Sequence, residues 1–541
     1  MATRSGLRRE VGFLGLTFVS FGAIIGSGWL LAAMTAAQAA GPAALLSWLL
    51  AAVIIGIIAL LLAELGSAYP LAGGSVRFPH LAFGPLTGFT LSWLYWLITL
   101  IGPPIEAEVT LYYLDHQVHG FIRVSGGAPV LTGRGLALAA VLVIVFAVIN
   151  VLGVRSFSGA STLLAWFKIA VPSLIVVSLL TSSFHPGNFH AGGGFAPGGL
   201  HAILEALPLG VVFSLTGFDQ NIQLGGEARW PGRDLGRSLL LALGLATVLY
   251  LLLQVAFLGA VDPRNVAGGW AAPLAPGNYG PFATLASTLG LGWLTTLIYV
   301  AACVSPAGSG LIVSGTSSRI GFALSRNGYL PEAFETVDRR GVPVFSVCFG
   351  TAVGMLVLLP FPSWQRLVVL ISAGAGLVYA FVPVSFAALR RTDPGQNRPF
   401  RVWAGGVLAP LGFAAASLVF YWAGWEADWK VLAAVATGYP VLVFTSLLNG
   451  AARRPEFDRA ALRSSAWMWP YFAGMALLSH YGQYGGTGAL PFGWDIAAVS
   501  ALSFVIFQLA VRLRLPAQRV ACYVSVGDRG PATTPLEGAR L

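Results

Sequence analysis

Charged side chains are scarce in this sequence. Only 10% of its 541 residues are Asp, Glu, Lys or Arg, and its mean hydropathy is +0.77. A soluble domain carries about 25% charged residues, so the chain has too little polar surface to cover a set of water-exposed domains. The shortage of charge excludes a soluble protein of this length and favours a bundle of helices embedded in a membrane.

Cysteine is also rare, and no residue pattern indicates a metal site or a catalytic centre. The three cysteines stand far apart, and the seven histidines show no metal-ligand spacing. HExxH and Gly-x-Ser-x-Gly motifs are missing, which argues against an intramembrane enzyme. We therefore expect no enzymatic activity, no cofactor and no bound metal.

Lysine is nearly absent, and the placement of the cationic residues is one-sided. The net charge of +10 could suggest a nucleic-acid partner, but all but six of the 31 Lys and Arg residues fall on one side of the predicted membrane helices or in the tail. This is the positive-inside pattern. It excludes a nucleic-acid partner and predicts a multi-pass protein of a bacterial plasma (inner) membrane with both termini in the cytoplasm.

Apolar runs of roughly 20 residues, the length that crosses a bilayer, recur along the whole chain. They predict an all-α polytopic membrane protein with about fourteen transmembrane helices. The predicted spans are 11–40, 42–69, 86–115, 135–153, 159–182, 200–226, 237–260, 282–322, 342–360, 366–389, 404–424, 430–449, 466–485 and 493–513. Residues 1–10 are then a cytoplasmic N-terminus, and the polar, Pro- and Gly-containing tail at 514–541 is expected to be disordered.

The first span contains a Gly-Ser-Gly motif, residues 26–28. Glycine weakens a helix by about 1 kcal/mol relative to alanine, and irregular backbone at membrane depth is tolerated where it lines a cavity. A half-helix that starts near Trp29 would direct free N–H groups and a positive dipole end at that cavity, where a carboxylate can bind. The alternative is close helix packing through small residues.

The sixth span contains the polar run Asp219-Gln220-Asn221 beside Gly217. Such a run is unfavourable in a membrane unless it faces water or a ligand. Two interrupted helices at corresponding positions of two halves indicate the binding site of a transporter, so 11–182 and 200–389 are predicted to be inverted repeats of a core at 11–389. Asp219 either binds a proton or substrate cation, or caps the second half-helix.

Two further ionisable side chains lie within predicted spans. Lys168 could act as a proton switch or as a fixed cation, or it could extend to the cytoplasmic interface. Glu106 and Glu108 are two positions apart and point to different sides of the third span. One of them could line the pathway while the other lies near the outer interface.

Four stretches of the chain resemble the amino acid–polyamine–organocation (APC) superfamily. They are Gly22 to Trp29; Ala63 to Gly66 with Tyr69 to Ser75; Gly217 to Asp219 with Gly226 to Pro231; and Ser318 to Ile320 with Ser325 to Pro331. The resemblance runs from about residue 8 to 450 and implies the LeuT-type five-plus-five inverted repeat, with helices 1 and 6 broken. Four additional transmembrane helices are expected at 404–513 after the core. Relatives usually have twelve spans, so helices thirteen and fourteen are additions of unassigned role.

The resemblance also implies roles for individual residues. Amides of Ser27 and Gly28 would hold the α-carboxylate of an amino acid, and carbonyls of Ile24, Phe213 and Thr216 would receive its ammonium group. The complete set of expected substrate-binding residues is Ile24, Ile25, Gly26, Ser27, Gly28, Phe213, Thr216, Phe218 and Asp219. Lys168 matches a lysine of proton-coupled members, and Lys168, Asp219 and Glu106 are the expected proton-coupling residues.

These observations predict a proton-coupled amino-acid symporter that works by alternating access. The sequence of the chain at Gly217 to Gln220 and at Ser75 to Pro79 is similar to that of a bacterial branch of acidic-amino-acid/proton symporters. The alternatives are an amino-acid or polyamine exchanger without net proton coupling, and a nutrient sensor with the transporter fold. The expected partners are an amino acid, protons and the lipid bilayer; the sequence identifies neither the amino acid nor the oligomeric state.

Overall fold

The computed structural model describes residues 11–71, 73–125, 128–152, 157–274, 280–339, 341–359, 363–448, 455 and 457–529. Most of these residues are helical. In chain order the helices are α1 (Phe13–Ile24), α2 (Gly28–Ala40), α3 (Ala44–Ala68), α4 (Arg77–Phe83), α5 (Pro85–Leu114), α6 (Gly133–Leu152), α7 (Phe157–Ser182), α8 (Gly199–Glu205), α9 (Val212–Leu215), α10 (Gln220–Gln223), α11 (Pro231–Ala260), α12 (Pro263–Val266), α13 (Pro281–Thr288), α14 (Gly292–Arg326), α15 (Val344–Leu358), α16 (Trp364–Thr392), α17 (Gly405–Trp422), α18 (Trp425–Leu448), α19 (Arg459–Ser465), α20 (Met468–Tyr481), α21 (Trp494–Leu513) and α22 (Ala517–Arg529).

The helical stretches fit a multi-pass membrane protein. Ten of them in the described ranges are long and apolar enough to cross a bilayer, and the helical segments Phe13–Ile24, Gly199–Leu215 and Val344–Leu358 are apolar but shorter. Helix α20, at the predicted thirteenth span, has 14 residues, fewer than the roughly 20 that cross hydrocarbon. The predicted span at 282–322 is divided into α13 and α14, with Gly290 at φ 73° between them.

A β-hairpin departs from the all-α expectation. Strands β1 (Ile122–Ser125) and β2 (Ala128–Leu131) pair antiparallel in the connection between α5 and α6. The carboxylate of Asp115 accepts hydrogen bonds from three consecutive N–H groups at residues 120–122, at 2.7 to 3.1 Å. This side chain at the end of α5 fixes the start of the hairpin, and such a local contact leaves no hydropathy signal.

The composition of the tail predicts disorder, but part of the tail is helical. Residues 517–529 form α22, which packs on α4, while 530–541 and 1–10 lie outside the described residues. The N–H of Leu515 donates to the carbonyl of Ala82 at 3.0 Å, and the Tyr523 ring lies 4.7 Å from that of His80. The order of this segment therefore comes from tertiary contacts, which composition does not reveal.

Long helices of the two predicted repeats pack against each other in matching pairs. Helix α3 lies along α11, and α5 lies along α14, while α16 packs along α17 and α5. The interrupted segments α1–α2 and α8–α10 lie between these pairs, and α1 contacts α10 and α14. This packing brings irregular backbone to the interior of the bundle, where protein rather than lipid covers it.

Candidate functional site

The first span is interrupted at residues 25–27. Helix α1 ends at Ile24, Ile25 leaves the helical region with ψ 78°, and α2 begins at Gly28. The N–H of Gly26 donates to the carbonyl of Ile24 at 3.0 Å, a tight turn that replaces the helical pattern. The N-terminal end of α2 is thereby exposed to the interior of the protein, as the Gly-Ser-Gly motif predicts.

The sixth span is interrupted twice. A π-helical turn at Leu207–Val211 contains Gly210 at φ 129°, and after α9 the chain is extended at Thr216 before α10 starts at Gln220. Gly217 has φ 87°, a left-handed conformation that favours glycine. A Cβ at Gly217 would lie 3.1 Å from the Cβ of Ala23, so the second interruption lies directly against the end of α1.

The two interruptions enclose a cavity. Its volume is about 80 Å³, enough for several water molecules or a small solute. Backbone and side chains of the interrupted spans form one wall, and α5, α14 and α16 form the others. The lining residues are Ala23, Ile24, Gly26, Gly28, Tyr95, Ile98, Thr99, Gly102, Glu106, Phe213, Thr216, Gly217, Asp219, Gln220, Val313, Ile371, Ala375, Val378 and Tyr379.

Most of the predicted substrate-binding residues meet at this cavity. Ile24, Gly26, Gly28, Phe213, Thr216 and Asp219 line it, and so does the predicted proton-coupling residue Glu106. Ile25, Ser27 and Phe218 are fully buried next to it but do not line it. Phe218 instead packs on Tyr379, with ring centres 5.2 Å apart.

Lys168 does not extend to the interface. Its side chain is 1% exposed, and Nζ donates to the carbonyl of Gly22 and to Oγ of Ser309, both at 2.6 Å. Ser309 Oγ itself lies 3.0 Å from the same Gly22 carbonyl. The amino group of Lys168 therefore joins α7 to the last turn of α1 and to α14, beside the cavity.

Glu106 lies against the interruption of the first span. A Cβ at Gly26 would be 2.5 Å from Glu106 Oε1, so a larger residue at this position would displace the carboxyl group. Glu106 Oε2 is buried without a hydrogen-bond partner among the described residues. The amide and hydroxyl of Ser27 also face this side chain, at the place where the family resemblance puts a substrate carboxylate.

Asp219 is held by side chains from two other elements. Its Oδ2 accepts hydrogen bonds from Ser75 Oγ at 3.0 Å and from the Tyr95 hydroxyl at 2.8 Å. Asp219 stands at the N-terminus of α10, but its side chain makes no capping hydrogen bond there. The capping alternative therefore does not describe the structure, and the carboxyl group faces the cavity.

Two of the carbonyls expected to receive an ammonium group already have partners. The Ile24 carbonyl accepts from the Tyr250 hydroxyl at 2.9 Å as well as from Gly26. The Phe213 carbonyl accepts from the N–H and Oγ1 of Thr216, at 3.0 and 2.6 Å. A bound ammonium group would have to share or displace these donors.

Phe213, which lines the cavity, contacts Trp364, and we call this pair of aromatic side chains the cap. The rings of Phe213 and Trp364 meet edge to face with centres 6.0 Å apart. Trp364 is 1% exposed, and its Nε1–H donates to Oγ of Ser27 at 3.3 Å. The cap is thus attached to the interruption of the first span.

Several residues of the site carry no signal in the sequence. Tyr95, Tyr250, Ser309 and Trp364 are ordinary residues within or beside apolar segments, and their roles follow from partners far away in the chain. Within the described residues, no group of three or more His, Cys, Asp or Glu side chains could hold a metal ion.

Comparison with known proteins relates the chain to amino acid transporters. The family model described as "Amino acid permease" matches residues 11–446. A glutamate/serine transporter, AimA, of Bacillus subtilis is 36% identical over 94% of each chain. An aspartate-proton symporter of the same organism is 32% identical over 95% of this chain and 98% of its own length. The rice polyamine transporter PUT1 is 29% identical over 66% of this chain.

Proposed function

The chain belongs to the amino acid permease family, and on that premise we propose that it carries an amino acid together with protons across a bacterial plasma (inner) membrane. It is a secondary active transporter that works by alternating access. It has fourteen spans, of which the first ten form LeuT-type inverted repeats of five, and both of its termini are cytoplasmic. The pairing of α3 with α11 and of α5 with α14 supports this symmetry, because spans two and seven, and three and eight, are equivalent in the two repeats.

The position of Lys168 carries the proposal. Its ammonium group bonds simultaneously to the end of the first half-helix and to α14, and both elements border the cavity. A lysine can lose its proton within a protein, which an arginine does not do. Loss of that charge weakens the two hydrogen bonds and frees α1 to move relative to α14, so protonation and opening are coupled.

The substrate site is the cavity between the two interruptions. The N-terminal end of α2 offers free N–H groups and a positive dipole end to the substrate carboxylate. The residues proposed to surround the substrate are Ile24, Ile25, Gly26, Ser27, Gly28, Phe213, Thr216, Phe218 and Asp219. Glu106 lies beside Ser27, so it must move or become neutral when a substrate carboxylate enters.

The charge of the cavity supports joint movement of protons and substrate. Its lining has two acidic side chains, Asp219 and Glu106, and none of the described lining residues is a lysine or arginine. The names of the two Bacillus relatives make L-glutamate, L-aspartate and L-serine the first candidates. An acidic substrate adds another negative charge, and binding then requires protons on the neighbouring carboxyl groups.

Uptake into proteoliposomes tests the proposal. Purified protein is reconstituted without internal amino acid, and uptake of radiolabelled L-aspartate, L-glutamate and L-serine is measured with an inward proton gradient. We expect accumulation that a protonophore abolishes. Lys168→Ala should remove the gradient-driven uptake. A cooperative melting transition of this variant, measured without amino acid, shows that it is folded.

The chain offers a matched control, because its only other lysine, Lys430, is at the surface in an ion pair with Glu426. Lys430→Ala should retain full uptake. Uptake that needs preloaded amino acid and ignores the proton gradient would instead identify an exchanger. Binding of an amino acid without any flux would identify a sensor.

A further inference from the structure

A second carboxyl group of α5 is buried away from the cavity. Glu108 is 0% exposed and does not line the cavity, which Glu106 reaches from the other side of the same helix. Its Oε1 lies 3.3 Å from the Tyr112 hydroxyl, and its Oε2 has no hydrogen-bond partner in the described part of the chain. An ionised carboxylate in such a place is very unfavourable unless it is paired.

Cations do not offset this carboxyl group within the described ranges. Lys168 faces Gly22, and Arg366 in the first turn of α16 is exposed on the side of Glu426. Glu106 faces Gly26, on the opposite side of α5. The titratable group that contacts Glu108 is Tyr112, and the backbone N–H of Trp364 also faces its carboxyl group.

Three hydrogen-bonding contacts of Tyr112 also favour a neutral Glu108. The Tyr112 oxygen lies 3.1 Å from the carbonyl of Pro129 and accepts from the backbone N–H of Trp364 at 3.0 Å. A tyrosine has one hydroxyl proton and two acceptor lone pairs. If Glu108 carries a proton and donates it to Tyr112, then Tyr112 can donate to Pro129 and all three contacts are hydrogen bonds. If Glu108 is ionised, the single Tyr112 proton cannot serve both acceptors.

Trp364 connects this cluster to the substrate cavity. Its backbone N–H bonds to Tyr112, and its indole N–H bonds to Ser27 at the interruption of the first span. The same ring forms the cap with Phe213. A change at Glu108 is therefore two hydrogen bonds away from the cap and three from the interrupted backbone.

We propose that Glu108 is a second proton-binding site of the transporter, which holds its proton while the cap is closed and releases it to water when the cap opens. The inference rests on the proposed function and deepens it. Release breaks the O–H bond of the Glu108 carboxyl group, leaves a carboxylate, and passes the proton to water admitted by movement of Trp364. Because the anion is stable only when hydrated, deprotonation and cap opening favour each other.

The test is the number of protons carried per amino acid. It is measured from the reversal potential of uptake in proteoliposomes, together with the dependence of uptake on external pH. Glu108→Gln keeps the size of the side chain and a hydrogen-bond donor for Tyr112, but it cannot ionise. We expect substrate binding to remain, the proton-to-substrate ratio to fall by one, and the pH dependence of uptake to flatten. Glu426→Gln, a surface glutamate that is 84% exposed, should change neither quantity.

A second variant keeps the proposal testable if Glu108→Gln does not fold. Tyr112→Phe removes the acceptor of the Glu108 proton, so half-maximal uptake should move to lower pH. An unchanged ratio in Glu108→Gln, or an unchanged pH midpoint in Tyr112→Phe where only that variant folds, overturns the inference. If the parent protein carries no protons with the amino acid, the proposed function is overturned as well. If the parent is proton-coupled but the Glu108 and Tyr112 variants transport as it does, this inference alone is overturned.

Discussion

Replacing Gly28 by alanine tests whether the two interrupted spans meet as closely as the structure indicates. Gly28 is the first residue of α2, and a Cβ there would lie 2.3 Å from Oγ, 2.9 Å from Cβ and 3.0 Å from Cα of Ser214 in α9. Non-bonded carbon atoms are comfortable at about 3.5–4.0 Å. Rotation of the Ser214 side chain relieves only the Oγ contact, so the backbone of α2 or α9 must move by about 0.5–1 Å.

The expected effect on stability is small, but the effect on substrate binding is larger. Overpacking typically costs about 1–3 kcal/mol, and the gain from replacing a helical glycine offsets up to about 1 kcal/mol of it. A net destabilisation of about 1–2 kcal/mol follows. Misplacement of binding groups by about 1 Å can cost as much as 100-fold in activity, so we expect at least a roughly tenfold loss of apparent affinity.

Thermal unfolding in detergent, with and without amino acid, and uptake at graded substrate concentrations measure the two effects. Gly56→Ala is the matched control, because Gly56 lies within α3 and a Cβ there meets nothing within 4 Å. That variant should melt no lower than the parent and transport normally. Ser214→Gly, which removes the Ser214 Oγ and Cβ, should partly restore Gly28→Ala. Identical melting and affinity in Gly28→Ala and Gly56→Ala would show that the two spans are not in close contact.

Two other predictions concern groups near the ends of the bundle. Burial, and secondarily the charge of Arg77, lower the pKa of His80 to about 3. Below about pH 6.5 the unfolded chain binds a proton at His80 and the folded chain does not. The free energy of unfolding should therefore fall by up to about 1.4 kcal/mol per pH unit from pH 6.5 downward. Between pH 7.5 and 5.5 the melting temperature should fall more steeply for the parent than for His80→Gln, and equal slopes would refute this. Glu64→Gln breaks a buried pair with Arg390 and should lower the free energy of unfolding by about 3–5 kcal/mol. The exposed control Glu426→Gln should lower it by less than about 1 kcal/mol. Comparable losses of thermal stability in the two variants would contradict the buried role of Glu64.

The features that the sequence predicts well depend on local chemistry. Gly26 and Gly217 indicate the interruptions because glycine weakens a helix wherever it stands. Asp219 and Lys168 are conspicuous because charge is unfavourable in hydrocarbon regardless of fold. For the same reason the apolar segments are recognisable before any packing is known, apart from α20, which is shorter than its apolar run.

The features that the sequence does not predict depend on partners far away in the chain. Tyr95 and Ser75 hold Asp219 from positions 124 and 144 residues away, and Trp364 reaches Ser27 across 337 residues. The helix at 517–529 is ordered by contacts with α4. In the sequence, a polar or aromatic residue that lines the cavity looks the same as one that fills space in the core. Only the packed structure distinguishes the two.

Charge balance separates Glu64 from the buried carboxyl groups of α5 and the sixth span. Glu64 is paired with Arg390 and Arg398, whose nitrogens lie 2.5 and 3.4 Å from its carboxylate oxygens. Among the residues that the structure describes, Lys168 is the one buried cation that could offset Glu106, Glu108 and Asp219. If all four were ionised, two negative charges would remain uncompensated in a region of low dielectric, which costs several kcal/mol per charge. In the proposed symporter, the interior therefore takes up protons as the cavity closes and releases them where water enters, so this imbalance would tie proton movement to the opening of the cavity.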